Sequence, residues 1–371
     1  MLTLARKNLF REKGRLAISI GGVAFAVMLI ILLRGLYVAY ESRVGDYYKA
    51  MDVDAWVLQR GSADLLLSYS VLPEKLQDDL KKTDGVDDAI SYLARQVGFS
   101  IKGDDVVLYL VAFNPKRSGP GPGPVKMESG TRDITEDEII VDQVFARKNG
   151  LHLGDVLSIS GEELKVAGIS SGGDLAIFQY GFVTLKRGRT LLKANEMVSA
   201  FLLILSPGAS MADVLTRVNA INPDSTAETV PSVIKANARV VNESFLPVLG
   251  VLLVIGFLVG VSVIGLTIYS AVLEHRREYG VLKAVGARLG QMLVVVAVQA
   301  LASAAAGYAV GIGVALLAAG ASELWVPQFI TRIQFMDVAL VGVAALLMGL
   351  IAAVIPLRRI ARVDPAIVFR S

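Results

Sequence analysis

The sequence of 371 residues contains no cysteine and only two histidines. The absence of cysteine excludes disulfides and thiolate metal sites. His152 and His275 stand far apart, and neither belongs to a metal-ligand spacing such as HExxH. The sequence also lacks the GxxxxGKS/T loop that cradles phosphate, and no Ser–His–Asp set or catalytic carboxylate pair can be assigned. We therefore predict a non-catalytic chain with no metal and no cofactor of its own.

Charged residues are scarce and unevenly spread. They make up 19% of the chain, against 54% hydrophobic residues. A helix needs about 20 apolar residues to cross the roughly 30 Å core of a bilayer. Four uncharged blocks are long enough to be candidates: residues 16–33, 247–273, 289–322 and 338–357. Because no ionisable side chain lies inside them, a proton or ion relay across the membrane is not indicated.

These blocks predict a membrane protein, mainly α-helical, with four transmembrane helices and a mixed α+β extracytoplasmic domain inserted between helices 1 and 2. The expected boundaries are residues 1–15 for a cytoplasmic N-terminal segment, 16–40 for helix 1, 41–243 for the domain, 244–273 for helix 2, 274–288 for a cytoplasmic helix, 289–320 for helix 3, 321–336 for a short extracytoplasmic loop, 337–357 for helix 4 and 358–371 for a cytoplasmic tail. The first block exceeds the apolar core of about 7–15 residues found in signal peptides, and no convincing cleavage site follows it. We expect a retained anchor, with a cleaved signal peptide as the alternative.

Lysine and arginine are concentrated in three of the segments that flank the apolar blocks. Five precede the first block, four lie between the second and third, and four follow the last, whereas the loop between the third and fourth carries Arg332 alone. Basic flanks of this kind stay in the cytoplasm. We therefore expect both termini and residues 274–288 in the cytoplasm, residues 41–243 outside, and a bacterial cell (inner) membrane as the location. A net charge of +3 is too small to argue for nucleic acid.

The region between the first two blocks indicates a mixed domain, because short runs rich in Val, Ile and Leu alternate with capped helical stretches. The strand candidates are VDAWVLQ, DVVLYLVAF, EIIVD, VLSIS, ELKVAGI and FLLILS, and the helix candidates are LPEKLQDDLKKTDG, VDQVFARKNG and SMADVLTRVNAINP. Their order predicts two lobes, residues 41–100 with 190–246 and residues 101–189. The stretch SGPGPGP at 118–124 predicts an exposed loop, either a spacer or a recognition loop.

The stretch LEHRREYGVLKAVGARLGQ, residues 273–291, places charges between two apolar blocks. On a helix, its apolar residues Tyr279, Leu282, Val285 and Leu289 form one stripe. The basic residues on the remaining faces are Arg276, Arg277, Lys283 and Arg288. An amphipathic helix of this kind fits the lipid headgroup surface and equally a groove on a cytosolic partner, and its composition does not separate the two.

The same stretch resembles the signature that follows the second span in MacB/FtsX-like ABC transporter permeases (type VII, mechanotransmission-type), E-x-G-x-L-K/R-A-x-G. The matching residues are Glu278, Gly280, Leu282, Lys283, Ala284 and Gly286. Three other stretches resemble the same family: MLTLARKNLFREKGRLAISIGGVAFAV, EIIVDQVFARKNGLHLGDVLSISGEELKVAGI and the tail RRIARVDPAIVFR. The resemblance therefore extends over nearly the whole chain and includes the order of span, large domain and three spans.

The resemblance implies a permease subunit of an ABC transporter. It would join a separate ABC ATP-binding subunit, which binds ATP and Mg, and a second permease copy or paralogue. A periplasmic adaptor or lipoprotein and membrane lipid are further implied partners. Residues 1–15 would form an amphipathic helix, and residues 274–288 a coupling helix that contacts the ATPase. The implied coupling residues are Arg276, Arg277, Glu278, Gly280, Leu282, Lys283 and Gly286.

The implied activity is export or extraction of a peptide, lipid, lipoprotein or hydrophobic drug by mechanotransmission, the relay of ATP-driven helix motion to the outer domain. One alternative is an FtsX-like signalling permease that regulates an extracytoplasmic partner, such as a cell-wall hydrolase, without transporting a substrate. Another is a membrane-anchored adhesion or scaffold domain with no ATPase.

Two glycine pairs have GxxxG spacing, Gly256 with Gly260 and Gly307 with Gly311. Such pairs allow helices to approach closely in lipid, within one subunit or between two. The family resemblance, in which spans 1 and 2 of two permeases pair, implies Gly256 and Gly260 in a dimer interface.

Overall fold

The computed structural model describes residues 13–62, 69–173, 179–275, 278, 280–281, 285, 289–325 and 331–361. The helices are α1 Lys13–Ala50, α2 Leu76–Lys81, α3 Gln143–Asn149, α4 Leu185–Leu192, α5 Met211–Ile221, α6 Val230–Glu274, α7 Leu289–Trp325 and α8 Phe335–Ala361. The strands are β1 Ala55–Gln59, β2 Leu72–Pro73, β3 Val86–Ile101, β4 Asp104–Phe113, β5 Lys126–Gly130, β6 Glu138–Asp142, β7 Val156–Ile159, β8 Glu162–Ser171, β9 Tyr180–Thr184, β10 Met197–Val198, β11 Ala200–Leu205 and β12 Ser225–Thr229. The chain divides into a helical unit, which contains residues 13–39 and the described residues from 245 onward, and a domain of residues 40–244.

The helical unit is built from α7, α8 and the apolar parts of α1 and α6. These four helices are long and apolar enough to cross a membrane. Since a helix rises about 1.5 Å per residue, the 38 residues of α1 and the 45 residues of α6 exceed what a bilayer core requires. The predicted fold class, four spanning helices with an α+β domain between the first two, is confirmed.

Small and β-branched residues form the core of the helical unit. On α1, the buried residues Val23, Ala26, Val27 and Ile30 recur at helical spacing, so they line one face. The residues of the other helices in this core are Ile264, Ile268 and Val272 of α6, Met292, Val296, Ala300, Ala304 and Ala315 of α7, and Val341, Ala345, Met348, Ala352 and Ala353 of α8. Several of these are alanines, which let helix backbones come close together.

The domain contains a ten-stranded mixed sheet with the order β12-β1-β11-β3-β4-β9-β6-β8-β5, and β7 pairs with β8. The long strand β3 belongs to both halves of this sheet. Its first half, from Val86 to Tyr92, pairs with β11, and its second half, Leu93–Ile101, pairs with β4. Separate apolar cores accompany the two halves. A third core extends across both halves and contains residues such as Trp56 and Phe182. The division into two lobes therefore stays a prediction, and β3 is the strand that both halves of the sheet share.

All six predicted strand stretches fall on observed strands: β1, β4, β6, β7, β8 and β11. The sequence reasoning missed β3, although it has 16 residues. Its sequence VDDAISYLARQVGFSI interrupts the apolar residues with Asp, Ser, Arg and Gln, and this hides the alternation that marks a strand. The short strands β2, β5, β9, β10 and β12 were missed as well.

The predicted helices of the domain need two corrections. Pro73 was expected in the first turn of a helix, but it lies in β2, and α2 begins only at Leu76. Ser210 and Asp213 have the spacing of a capping box, and Ser210 does precede α5, but its side chain makes no capping hydrogen bond. By contrast, Gly150 ends α3 with φ 61° and donates its backbone N–H to the carbonyl of Ala146, as its position predicts.

The Gly-Pro stretch at 118–124 is less exposed than predicted. Its first two residues are exposed, but Pro122, Gly123 and Pro124 are buried. The loop is held by the backbone N–H of Gly121, which donates to the Met51 carbonyl at 2.8 Å. It is therefore a packed part of the domain.

Candidate functional site: the coupling segment and the long helices

The end of α6 leads directly into the predicted coupling segment. Helix α6 ends at Glu274, whose carboxylate forms an ion pair with Arg15 near the start of α1. The next residue, His275, places Nδ1 3.1 Å from the carboxylate of Glu278. These polar contacts fix the point at which the chain leaves α6, and nothing in the sequence pattern indicated the pairing of Arg15 with Glu274.

The predicted coupling residues are only partly within the described structure. Glu278 is exposed and Gly280 is buried. The apolar Val285, which the sequence places on the same stripe as Tyr279, has 83% of its surface exposed. The remaining predicted residues lie outside the described residues: Arg276, Arg277, Leu282, Lys283 and Gly286. The segment therefore presents a carboxylate and an uncovered apolar side chain, both of which suit contact with a partner or with lipid.

The first glycine pair packs within the chain. A Cβ built on Gly260 would lie 2.7 Å from the sulfur of Met348 on α8 and 3.5 Å from Ala26 on α1. A Cβ on Gly256 would lie 3.7 Å from Leu29 of α1. These contacts correspond to packing within one subunit, and a dimer contact through this pair stays a prediction.

The second glycine pair forms a close contact between α7 and α1. A Cβ on Gly307 would lie 2.5 Å from Val23 Cβ, and a Cβ on Gly311 would lie 2.7 Å from Val27 Cβ and 2.9 Å from the Ala24 carbonyl oxygen. No side chain fits at these distances, so the α1 and α7 backbones lie in direct contact. Gly313 on the same helix has no atom within 4 Å of its built Cβ.

The long helices α1 and α6 also contribute to the core of the domain. Tyr47 and Tyr48, near the end of α1, pack among aromatic residues: the ring centroid of Tyr47 lies 4.4 Å from that of Tyr180, and Tyr48 lies 5.4 Å from Trp56. At the start of α6, Val233 is fully buried in the same core. The two helix ends touch, because a Cβ on Gly45 would lie 3.1 Å from Ile234. Each helix is therefore continuous from an apolar stretch of membrane length to a residue buried in the domain.

A cavity of about 180 Å³ is lined by residues of α2, the first half of β3 and the end of β4. The Asp88 carboxylate lies in its wall, 3.0 Å from Lys81 Nζ and 3.0 Å from Arg117 Nη2. Burial acts to raise the pKa of Asp88, but the hydrogen bonds from Lys81 and Arg117 outweigh it and hold the pKa below its ordinary value. The charges around this cavity neutralise one another, which indicates a structural ion-pair cluster.

The acidic run at 136–138 is tied into the domain by basic residues of α4. Lys186 pairs with Glu136 at 2.7 Å, and the largely buried Arg187 pairs with Asp137 and with Glu162 of β8. The carboxylates of Glu136 and Asp137 stay exposed and join the segment before β6 to α4, while Arg187 also links α4 to β8 through Glu162. Within the described residues, no group of three or more His, Asp or Glu side chains is placed to hold a metal ion.

Comparison with known proteins identifies the helical unit. A family described as the FtsX-like permease C-terminal domain matches residues 250–365. A Mycobacterium tuberculosis protein named an uncharacterized ABC transporter permease is 26% identical over 370 residues, which cover 100% of this chain and 99% of the relative. A second so-named M. tuberculosis protein is 24% identical over 375 residues, with the same coverage. The chain therefore contains an FtsX-like permease region at residues 250–365 and is similar over its whole length to proteins named ABC transporter permeases.

Two solved structures are similar to parts of this permease. The periplasmic region of MacB from Actinobacillus actinomycetemcomitans has a TM-score of 0.37 and 10% identity, covering 50% of this chain and 92% of that one. The extracellular domain of the noncanonic ABC-type transporter YknZ from Gram-positive bacteria has a TM-score of 0.35 and 14% identity, covering 47% and 98%.

The family resemblance predicted from the sequence is thereby confirmed. Permeases of this family are generally non-catalytic, multi-pass membrane subunits, and an ABC permease implies an ATP-binding subunit as its partner.

Proposed function

We propose that this permease couples ATP hydrolysis by a separate ATP-binding subunit to the export or extraction of a peptide, lipid, lipoprotein or hydrophobic drug by mechanotransmission. The observation that carries the proposal is the continuity of α1 and α6, which run without a break from apolar stretches of membrane length to residues buried in the domain core. Helices of this kind relay a displacement at one end to the other, whereas a loop between membrane and domain would absorb it.

The backbone hydrogen bonding of α6 is interrupted at Pro247. Pro247 lies inside α6 and has no N–H to donate to the carbonyl four residues earlier, that of Glu243. A proline at this position permits a bend but leaves the helix continuous. Helix α1 has no proline. Of the two helices that would transmit the displacement, α1 is therefore the stiffer.

We further propose that both termini and the coupling segment face the cytoplasm and that residues 41–243 lie outside, as the basic flanks favour. Because the native chain has no cysteine, single cysteines report topology without background. In intact cells or spheroplasts, a membrane-impermeant thiol reagent should label Ser118→Cys and leave Ser371→Cys unlabelled. The reverse labelling pattern would reject both the orientation and the coupling role of residues 274–288.

The coupling segment is proposed to dock into a groove of the ATP-binding subunit, with Glu278 as a central contact. The support is a carboxylate that His275 contacts at 3.1 Å and the exposed apolar surface of Val285 in the same segment. Glu278→Arg should weaken co-purification of the ATP-binding subunit, since losing a desolvated charge partner costs about 2–5 kcal/mol in an interface. Membrane insertion should be unaffected, because the change adds a positive charge to a cytoplasmic flank.

A matched charge reversal serves as the control. Glu163→Arg changes an exposed carboxylate of the domain and should leave both co-purification and ATP turnover at the wild-type level. If the segment instead lies on lipid headgroups, Glu278→Arg will strengthen attraction to anionic lipid and leave the ATPase complex intact. That outcome would remove Glu278 from the coupling contact.

The purified permease alone should neither bind nor hydrolyse ATP, because its sequence has no phosphate-binding loop. Saturable nucleotide binding to the isolated chain would contradict the proposal. A complex that hydrolyses ATP and activates an extracytoplasmic hydrolase while no substrate moves would favour the FtsX-like signalling function instead.

A further inference from the structure

A buried ion pair connects the first and last helices of the helical unit. Arg34 of α1 donates from Nε to the Oδ1 oxygen of Asp337, in the first turn of α8, at 2.9 Å. The Asp337 side chain is 5% exposed and that of Arg34 is 42% exposed. The second carboxylate oxygen of Asp337, Oδ2, is buried without a hydrogen-bond partner among the described residues.

Backbone contacts surround this pair. The N–H of Arg332 donates to the carbonyl of Gly35 at 3.0 Å, next to Arg34 in α1. A Cβ built on Gly35 would lie 3.5 Å from the Cβ of Thr331 and 3.4 Å from Ile333. We call the set Arg34, Gly35, Arg332 and Asp337 the α1–α8 clamp. It holds the segment before α8 against the part of α1 that precedes the domain in sequence.

The chemistry of the clamp indicates a contact that can open. An apolar pair would hold two helices in an apolar unit without desolvating charges, and a buried carboxylate with one unpartnered oxygen is costly. Asp337 depends on Arg34 for its charge partner, while Arg34 is partly exposed and can be hydrated once it leaves. The pair therefore has two accessible arrangements, closed and separated.

The position of the clamp on α1 gives these arrangements a consequence. Beyond Arg34, α1 continues without interruption to Tyr47 and Tyr48, which are buried in the domain core. Any movement of α1 relative to α8 must break the ion pair and the bond from Arg332 to Gly35. We propose that the α1–α8 clamp is a latch: it holds α1 against α8 in the resting permease and opens during the ATP-driven stroke. The inference rests on the proposed function.

A reversible cross-link tests the latch directly. Gly35→Cys and Thr331→Cys would place two Cβ atoms 3.5 Å apart, within the range of about 3.5–4.5 Å found in disulfides. The absence of native cysteine makes the cross-link unambiguous. Permease-dependent ATP turnover of the complex, purified with its ATP-binding subunit, is measured before oxidation, after oxidation and after reduction. We expect at least a fivefold loss on oxidation and recovery on reduction, while each single-cysteine variant stays at the wild-type rate.

Unchanged turnover in the fully cross-linked complex would overturn the latch and leave the coupling proposal standing. If instead the wild-type chain brings no ATP-binding subunit with it, the proposed function fails, and the latch fails with it. The two failures are therefore distinguishable from one preparation.

A second variant examines the ion pair without the ATPase. In the double-cysteine permease, Asp337→Asn keeps the shape of the side chain and removes its charge. We expect the rate of oxidative cross-linking in the resting state to fall at least threefold, because the open arrangement becomes more populated. Arg34→Gln should have the same effect and replaces Asp337→Asn if that variant does not accumulate. An unchanged rate in the variant that accumulates would show that the charges do not hold the clamp closed, and would overturn the proposal.

Discussion

Substitution of Gly311 by alanine should loosen the contact between α1 and α7. The new methyl group would lie 2.7 Å from Val27 Cβ and 2.9 Å from the Ala24 carbonyl oxygen. Carbon atoms in contact prefer about 3.5–4.0 Å, so the two helices must separate by roughly 1 Å. Because one of the colliding atoms belongs to the backbone of α1, no change of side-chain rotamer relieves the clash.

The net cost follows from two opposing effects. Overpacking a well-filled core typically costs about 1–3 kcal/mol. Alanine in place of glycine stabilises a helix by about 0.5–1 kcal/mol in water, and this offsets part of that cost. We therefore expect Gly311→Ala to lower the free energy of unfolding by about 1–2 kcal/mol. A loss of about 1.4 kcal/mol corresponds to a tenfold change in the unfolding equilibrium constant. The measurement is SDS-induced unfolding in mixed micelles, followed by circular dichroism.

Two further variants make this expectation refutable. Gly313→Ala, on the same helix with open space around its built Cβ, should be neutral or slightly stabilising. Val27→Gly introduced together with Gly311→Ala removes the side-chain part of the clash, Cβ included, so the pair should show a favourable interaction energy in a double-mutant cycle. If Gly311→Ala and Gly313→Ala are equally stable, α1 and α7 do not touch as described.

Two predictions concern the domain. Asp88→Asn should destabilise the protein by about 1–2 kcal/mol at neutral pH, because Lys81 and Arg117 lose their shared charged acceptor. The folded state lowers the pKa of Asp88, so its contribution is complete above the unfolded pKa of about 3.9 and is lost as the pH falls through the folded value. Thermal unfolding should therefore separate mutant from wild type at pH 7, and the difference should shrink progressively as the pH falls below about 4; a difference that does not shrink would contradict the ion-pair account. Arg187→Ala should cost about 1–3 kcal/mol, since the largely buried guanidinium joins α4 to Glu162 on β8, and an unchanged melting temperature would mean that this junction carries no stability.

The parts of the fold that the sequence predicted are those with a strong local signal. The spanning helices follow from long uncharged blocks, and strands such as β6 follow from dense runs of β-branched residues. Strand β3 has no such local signal. It pairs with β11 through one half and with β4 through the other. Its polar residues are accommodated by contacts distant in sequence, for example Asp88 with Arg117. Pairings of that kind are decided by tertiary structure, and residue order alone does not encode them.

The same distinction applies to the candidate site. The charged segment at 274–288 stands out in the sequence because apolar blocks lie on both sides of it. The pairing of Arg15 with Glu274 and that of Arg34 with Asp337 do not, since each joins residues more than 250 positions apart. In the sequence, Arg34 is only the charged residue that ends the first apolar block. Its pairing with Asp337 depends on the tertiary structure, which brings the start of α8 beside α1.

The contacts of α1 with α7 and with α8 differ in kind, and the difference bears on how the helical unit would move. Against α7, α1 makes a steric contact in which Val23 and Val27 meet glycines, with no charge to hydrate if the helices part. Against α8, the clamp relies on a charged pair whose arginine already reaches the surface. Separating the first contact would expose close-packed backbone and leave a void, whereas separating the second lets Arg34 and Asp337 regain solvation. Helix α7 is itself packed on α8, where Tyr308 Oη donates to the Val338 carbonyl at 2.8 Å. A stroke that opens the latch should therefore turn α1 about its steric contact with α7 and part it from α8 at the clamp. Cross-links between α1 and α7 should then leave ATP turnover intact, while the cross-link from Gly35→Cys to Thr331→Cys stops it, and inhibition by both would show that α1 parts from α7 as well.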